Sequence, residues 1–166
     1  MKEIKRLTKA HHEDFKRINA ETRKTLANPS WFMPFSEEVL ETLLNENSPL
    51  VVYGCFIDGT LAGVSLFDTT YEEFSQLAEI LVVTDKKVAE LGGSMVLPEF
   101  RGQHIMYDVN VALMQAAREM GIEYFVATAH PDNIASNSSL KKLGMELKTT
   151  ITRAGGYLRN VYLLKL

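Results

Sequence analysis

Met95-Val96-Leu97-Pro98-Glu99-Phe100-Arg101-Gly102-Gln103-His104-Ile105-Met106 closes an apolar strand, turns at a proline and an Arg-Gly pair, and opens a long amphipathic stripe. A strand that stops at such a turn and feeds a helix start presents unpaired backbone N–H groups and the positive end of a helix dipole, which together suit an anion. A phosphate-bearing ligand is implied. Downstream, Ile105, Met106, Val109, Ala112, Leu113, Ala116, Ala117 and Met120 recur at helical spacing, so a helix is expected from Gly102 to Met120, with Gly121 as its C-terminal stop. Upstream, Lys87 to Leu97 reads as a strand in which Gly92-Gly93 marks a bulge.

The elements on either side follow from local chemistry. Leu50 to Ile57, then Asp58-Gly59, then Thr60 to Phe67 is a hairpin pattern, because Asp-Gly supplies the positive φ angles that tight turns need. Residues 3–8 read as a strand, His11 to Leu26 as a helix ended by Asn28-Pro29, and Ser36 as the N-cap of a second helix carrying Val39, Leu40, Leu43 and Leu44. Residues 71–81 have helical spacing, and Ile122 to Ala129 forms a buried-strand run. Asp132 or Asn133 caps a helix to Leu143, and strands 145–152 and 158–164 flank Gly155-Gly156. With no repeat or linker, one domain over residues 1–166 is expected. A chain of this size buries roughly 70% of its unfolded surface and needs no disulfide or metal staple.

Composition narrows the function. Eighteen Lys plus Arg against 21 Asp plus Glu give a net charge of −3, which argues against a nucleic-acid or anionic-membrane partner and favours a small-molecule or peptide substrate. No stretch approaches the ~18 apolar residues of a membrane span, and the charged N-terminal residues precede no apolar leader segment, so a cytoplasmic protein is expected. Cys55 lies in an apolar run and reads as a small core residue, and the four histidines lack metal-ligand spacing, so no metal site is expected. His11 and His12, at a helix start, are expected to be exposed, and His130 to pack locally in a turn. Trp31, Phe32, Met33 and Phe35 read equally as core and as a pocket wall.

Two blocks of sequence carry a resemblance. The pattern Val-x-Pro-x-x-Arg-Gly, Val96 to Gly102, is followed about 30 residues later by His130-Pro131-Asp132-Asn133-x-x-Ser136 and then Leu140-Lys141-Lys142-Leu143-Gly144-Met145. Together with the order of elements, these resemble the GNAT superfamily of N-acetyltransferases over nearly the whole chain. The resemblance implies an α/β (α+β) fold, with a central mixed, mostly antiparallel sheet of about seven strands flanked by helices. It also implies a splayed strand pair at the cofactor site, acetyl-CoA as cosubstrate, and transfer to a primary amine by direct attack. Backbone groups of Met95, Val96 and Leu97 would then hold the pantetheine and polarise the thioester carbonyl. The N–H groups of Arg101, Gly102, Gln103, His104, Ile105 and Met106 would receive the pyrophosphate, with Asn133 and Ser136 on the other side.

The sequence departs from the family pattern in ways that bear on chemistry. His104 and Met106 stand where the phosphate turn usually has Gly and Gly or Ala, so side chains enter a turn that backbone usually lines. Leu140 stands where many members place a tyrosine that protonates the departing thiolate. Because a thiol has a pKa near ~8.5, its thiolate leaves without that acid. Glu90, on the strand leading to the turn, is the candidate general base, against the plainer reading of a solvent-facing or ion-paired strand carboxylate. A rival function is a CoA-binding sensor or regulatory module that keeps the fold without efficient chemistry. A Rossmann-type nucleotide domain fits poorly, since Gly102 belongs to no Gly-x-Gly-x-x-Gly turn. The Gly155 to Asn160 segment is expected to line the acceptor site or to form a homodimer contact.

Overall fold

At the first hairpin, Asp58 and Gly59 take φ angles of 48° and 82° and connect two strands, β2 (Leu50–Ile57) and β3 (Thr60–Asp68), that pair antiparallel. The computed structural model describes residues 1–166. Its other strands are β1 (Lys2–Arg6), β4 (Val88–Val96), β5 (Tyr124–Ala129), β6 (Glu146–Arg153) and β7 (Tyr157–Lys165). They form one sheet in the order β1-β2-β3-β4-β5-β7-β6. Every neighbouring pair is antiparallel except β4 with β5.

Five α-helices cover the two faces: α1 (His12–Lys24), α2 (Glu37–Thr42), α3 (Tyr71–Ile80), α4 (Ile105–Glu119) and α5 (Ile134–Lys142). On one face Ile105, Val109, Leu113 and Ala117 of α4 and Leu140 of α5 pack with Val51, Phe67, Leu91 and Phe125. On the other, Phe15 and Ile18 of α1 meet Val52, Leu61, Leu66 and Met95. Adjacent strand residues such as Val51 and Val52 thus enter different cores, as the alternation of a strand requires. Cys55 is fully enclosed in the α4 face, and burial pushes its thiol pKa up.

The central feature lies in β4. Its parallel pairing with β5 runs from Val88 opposite Tyr124 to Leu91 opposite Ala127 and goes no further, although both strands continue. On the other side the register with β3 jumps between Val64 and Leu66, so that Ser65 faces the Gly93-Ser94 segment. Gly93 takes φ 59°, which makes Gly92-Gly93 the bulge that the paired glycines predicted. Ser65 fastens it: its hydroxyl lies 2.7 Å from the Ser94 hydroxyl and donates to the Gly92 carbonyl at 3.3 Å. The bulge bends β4, and the strand pair opens beside it.

The structure corrects several expectations. The long helix begins at Ile105 rather than Gly102, because Gly102 (φ 78°) and His104 (φ 59°) are both left-handed and cannot belong to a right-handed helix. The first helix spans His12–Lys24, since a tight turn over Lys9–His11 precedes it and the Thr25 hydroxyl bonds back to Glu21 and Thr22 carbonyls at its end. His11 and His12 are half-buried, not exposed. His11 accepts from the Thr8 N–H and packs on Phe56, while His12 Nε2 lies 2.8 Å from the Leu40 carbonyl. No helix is long and apolar enough to cross a membrane.

Candidate functional site

Where β4 and β5 part, a cleft of about 1050 Å³ opens. Glu90, Met95 and Val96 line it from β4, while Arg101, Gly102, His104, Ile105 and Met106 line it from the turn and the start of α4. Asn133 and Ser136 face it from α5, and Trp31, Phe32, Met33 and Phe35 from the segment between α1 and α2. Leu97 and Gln103 do not line it. Leu97 is buried in the α1 face, and the Gln103 carbonyl accepts from Lys2. A smaller depression, about 340 Å³ around Gly144, Glu146 and Leu163, shares no residue with the cleft. No group of His, Cys, Asp and Glu is arranged to hold a metal ion.

The turn end is built from backbone. The first intrahelical bond of α4 runs from the Asp108 N–H to the His104 carbonyl, which leaves the Ile105, Met106 and Tyr107 amides at the helix N-terminus without helical partners. Gly102 reaches its positive φ with open space where a side chain would start. The Arg101 amide is already used, donating to the Pro98 carbonyl at 3.3 Å, so the free row begins at Gly102. The Arg101 side chain folds back to the Val96 carbonyl (Nε, 3.3 Å) and the Thr25 hydroxyl (3.4 Å). Lys142, from the end of α5, brings its Nζ to 3.1 Å from His104 Nδ1 and lies over the Tyr107 ring. Met95 is buried in the α1 face, so its backbone, not its side chain, is what it can offer.

The opposite end is built from side chains. Arg153 of β6 grips Glu90 with both η nitrogens, at 2.5 and 3.4 Å, and also donates to the Glu73 carbonyl at 3.1 Å. Both partners are largely enclosed. Burial raises the Glu90 carboxyl above its ordinary glutamate value, and the Arg153 guanidinium works against that rise. Nothing local in the sequence connects residues 90 and 153; only the β5-β7-β6 order carries Arg153 across the sheet.

The Asn133 side chain accepts the Ser136 N–H at 3.2 Å and so serves as the N-cap of α5. One turn on, Asn137 has a role that sequence reading missed. Its Nδ2 donates to the His130 and Asn133 carbonyls, and its Oδ1 accepts from Asn160 Nδ2 and the Tyr162 hydroxyl. It ties the end of β5, α5 and β7 together behind the splay. His130 packs locally, with Nδ1 accepting the Asp132 N–H. Leu140 is buried in the α4 face and supplies no proton. Two enclosed oxygens on residues that line the cleft, Thr22 Oγ1 and Asn110 Oδ1, have no partner.

Residues 9–145 match the acetyltransferase (GNAT) family profile. The fold superposes on an N-acetyltransferase from Staphylococcus aureus Mu50 with TM-score 0.75 and 16% identity, covering 99% of this chain and 97% of that one. It superposes on the ribosomal-protein-S18-alanine N-acetyltransferase from Escherichia coli with TM-score 0.72 and 14% identity, covering 99% and 94%. For the PaiA N-acetyltransferase from Thermoplasma acidophilum, in complex with coenzyme A, the values are 0.69 and 18%, covering 100% and 99%. At these identities the likeness establishes the fold. No curated protein matches the sequence.

Proposed function

Since this chain belongs to the acetyltransferase (GNAT) family and is an acyltransferase, we propose that it transfers an acetyl group from acetyl-CoA to a primary amine by direct attack in a ternary complex. The observation that carries this reading is the cleft, which runs from the free amides of α4 along the half of β4 that β5 leaves unpaired to an enclosed carboxylate. The residues present suit such a ligand. Free amides at Gly102 to Met106 and the nearby Lys142 suit the phosphates. The partnerless Thr22 and Asn110 oxygens suit a chain bearing amide and hydroxyl groups, and the backbone of Met95 and Val96 suits the thioester carbonyl. Gln103 enters this set through its amide alone, the Leu97 amide is already used on the Ala62 carbonyl, and Asn133 and Ser136 support the set through the start of α5.

When bound, acetyl-CoA supplies an activated acyl group whose carbon–sulfur bond breaks as the amine nitrogen bonds to the carbonyl carbon. Glu90, or a water that it holds, takes the proton the amine loses, and Arg153 fixes the carboxylate in place. The departing thiolate needs no acid, in keeping with the apolar Leu140.

A second reading, a CoA-binding sensor without efficient turnover, draws on the engagement of both Glu90 oxygens by Arg153 and on the side chain of His104 in the turn. Calorimetry with acetyl-CoA, CoA and dephospho-CoA, followed by CoA-thiol release across an amine panel, separates the two. Micromolar binding with thiol release supports the enzyme, binding without release with any amine supports the sensor, and no binding defeats both.

A further inference from the structure

Arg159, on β7, is the one charged side chain buried in the protein, with 2% of its surface exposed. Its guanidinium donates to two backbone carbonyls, Leu158 through Nη1 and Ser30 through Nη2, each at 2.8 Å, and lies over the Tyr157 ring. No carboxylate pairs with it. The Arg153 guanidinium also acts on it, as a like charge, and Arg153 is already matched by Glu90. A guanidinium has more N–H groups than these carbonyls engage, and an enclosed cation without a counter-ion is costly to maintain.

A second unmatched donor belongs to the segment that Arg159 holds. The indole N–H of Trp31 is buried with no partner, and Trp31 directly follows Ser30, whose carbonyl Arg159 holds. Both residues line the cleft. An enclosed cation and an unpaired neutral donor on one cleft call for a ligand group that brings negative charge and several acceptor lone pairs together, and a carboxylate does so. Asp68 and Glu73 line the same end of the cleft and give it acidic groups that favour an ammonium or amine. The end is thus amphoteric, with an aromatic wall at Phe32 and Phe35.

Resting on the acetyl-transfer reading, we propose that Arg159 and the Trp31 indole N–H bind a carboxylate of the acceptor, so that the acceptor is a small amine carrying its own carboxylate and an apolar part. Polyamines and aminoglycosides, which bring only positive charge, are poor ligands for this end.

The test compares kcat/KM for matched pairs, apolar amino acids against their own carboxamides, with acetyl-CoA and thiol detection. The wild type should prefer the carboxylate by about tenfold or more, the scale of a charge-assisted hydrogen bond. That preference should collapse in Arg159→Gln and recover in part in Arg159→Lys. Equal kcat/KM for both members in the wild type, or a preference for a polyamine, overturns the proposal and leaves acetyl transfer standing. Equal losses on both members in Arg159→Gln would reduce Arg159 to a tether for Ser30 and also overturn it. Should that variant fail to fold, the wild-type ratio still decides. Calorimetric titration of the same pairs into CoA-bound wild type reads carboxylate recognition without turnover, and no preference there overturns the proposal. Failure of acetyl transfer itself shows separately, as no thiol release with any amine.

Discussion

At the turn end of the cleft, the free groups are main-chain amides of Gly102 to Met106, held by positive φ at Gly102 and His104 and by the start of α4. At the other end they are side chains, Glu90, Arg153 and Arg159, brought together from β4, β6 and β7 and fastened to carbonyls of Ser30 and Glu73. The turn end depends on what is missing: space for backbone to approach. The far end depends on what is present: each charge rests on a partner elsewhere in the chain. Added atoms should therefore damage the first and removed atoms the second.

The largest effect is expected from Arg153→Gln, which strands an enclosed Glu90 and should destabilise the fold by about 3 kcal/mol at neutral pH. Its pH dependence carries a definite sign. Burial already lifts the folded Glu90 carboxyl above its ordinary 4.5, so the folded chain holds that proton more tightly than the unfolded chain. Stability then falls as pH rises through the window above 4.5. Without the guanidinium the lift grows, so the gap between wild type and variant should widen from mildly acid to mildly alkaline pH in urea unfolding. An equal gap at both would show that Glu90 does not depend on Arg153.

Next comes an addition at the turn end. A Cβ on Gly63 of β3 would stand 2.5 Å from Ile105 Cγ2, on the first residue of α4, and 3.3 Å from the Met95 carbonyl oxygen. Gly63→Ala should cost about 2 kcal/mol by overpacking and displace the start of α4. Unfolding with an unchanged midpoint would mean that the helix yields freely and that the turn end is not space-limited.

The same contrast explains what could be read in advance. Backbone demands leave marks at fixed spacing: Asp58-Gly59 marked the hairpin, Gly92-Gly93 the bulge, and Pro98 with Arg101-Gly102 the turn. The start of α4 was misplaced because a histidine in a left-handed conformation has no marker comparable to glycine. Side-chain partnerships leave no local mark. Glu90 and Arg153 lie 63 residues apart, and Arg159 and Ser30 lie 129 apart, so no period relates them. Glu90 could be picked out as a carboxylate near the turn, but its partner came only with the strand order. His11 and His12 looked exposed because their contacts, Phe56 and the Leu40 carbonyl, come from other elements.

Between the two ends sits the bulge, which combines both plans: a glycine that needs positive φ and a serine that fastens it. Ser65→Ala removes the contacts to Ser94 and to the Gly92 carbonyl and should destabilise by about 1 kcal/mol. Its signature should be faster amide exchange at Gly92 to Ser94 than in the rest of the sheet. Uniform protection across β4 would mean that Gly93 alone holds the bulge.

The smallest expected effect on stability, and the sharpest probe of the contrast, is His104→Gly. A left-handed conformation costs a non-glycine residue roughly 1 kcal/mol or more. Glycine relieves that strain, but its greater freedom in the unfolded chain costs about 0.5–1 kcal/mol. The two terms oppose, so the melting temperature should barely move. The informative readout is affinity for acetyl-CoA. If the turn end recognises anions through backbone, the amides of Gly102 to Met106 remain in the variant and Lys142, released from His104 Nδ1, gains freedom to reach an anion. Affinity should then hold or rise. A loss well beyond tenfold would make the imidazole itself a ligand. The turn end would then be built from side chains like the far end, and the division between the two would no longer stand.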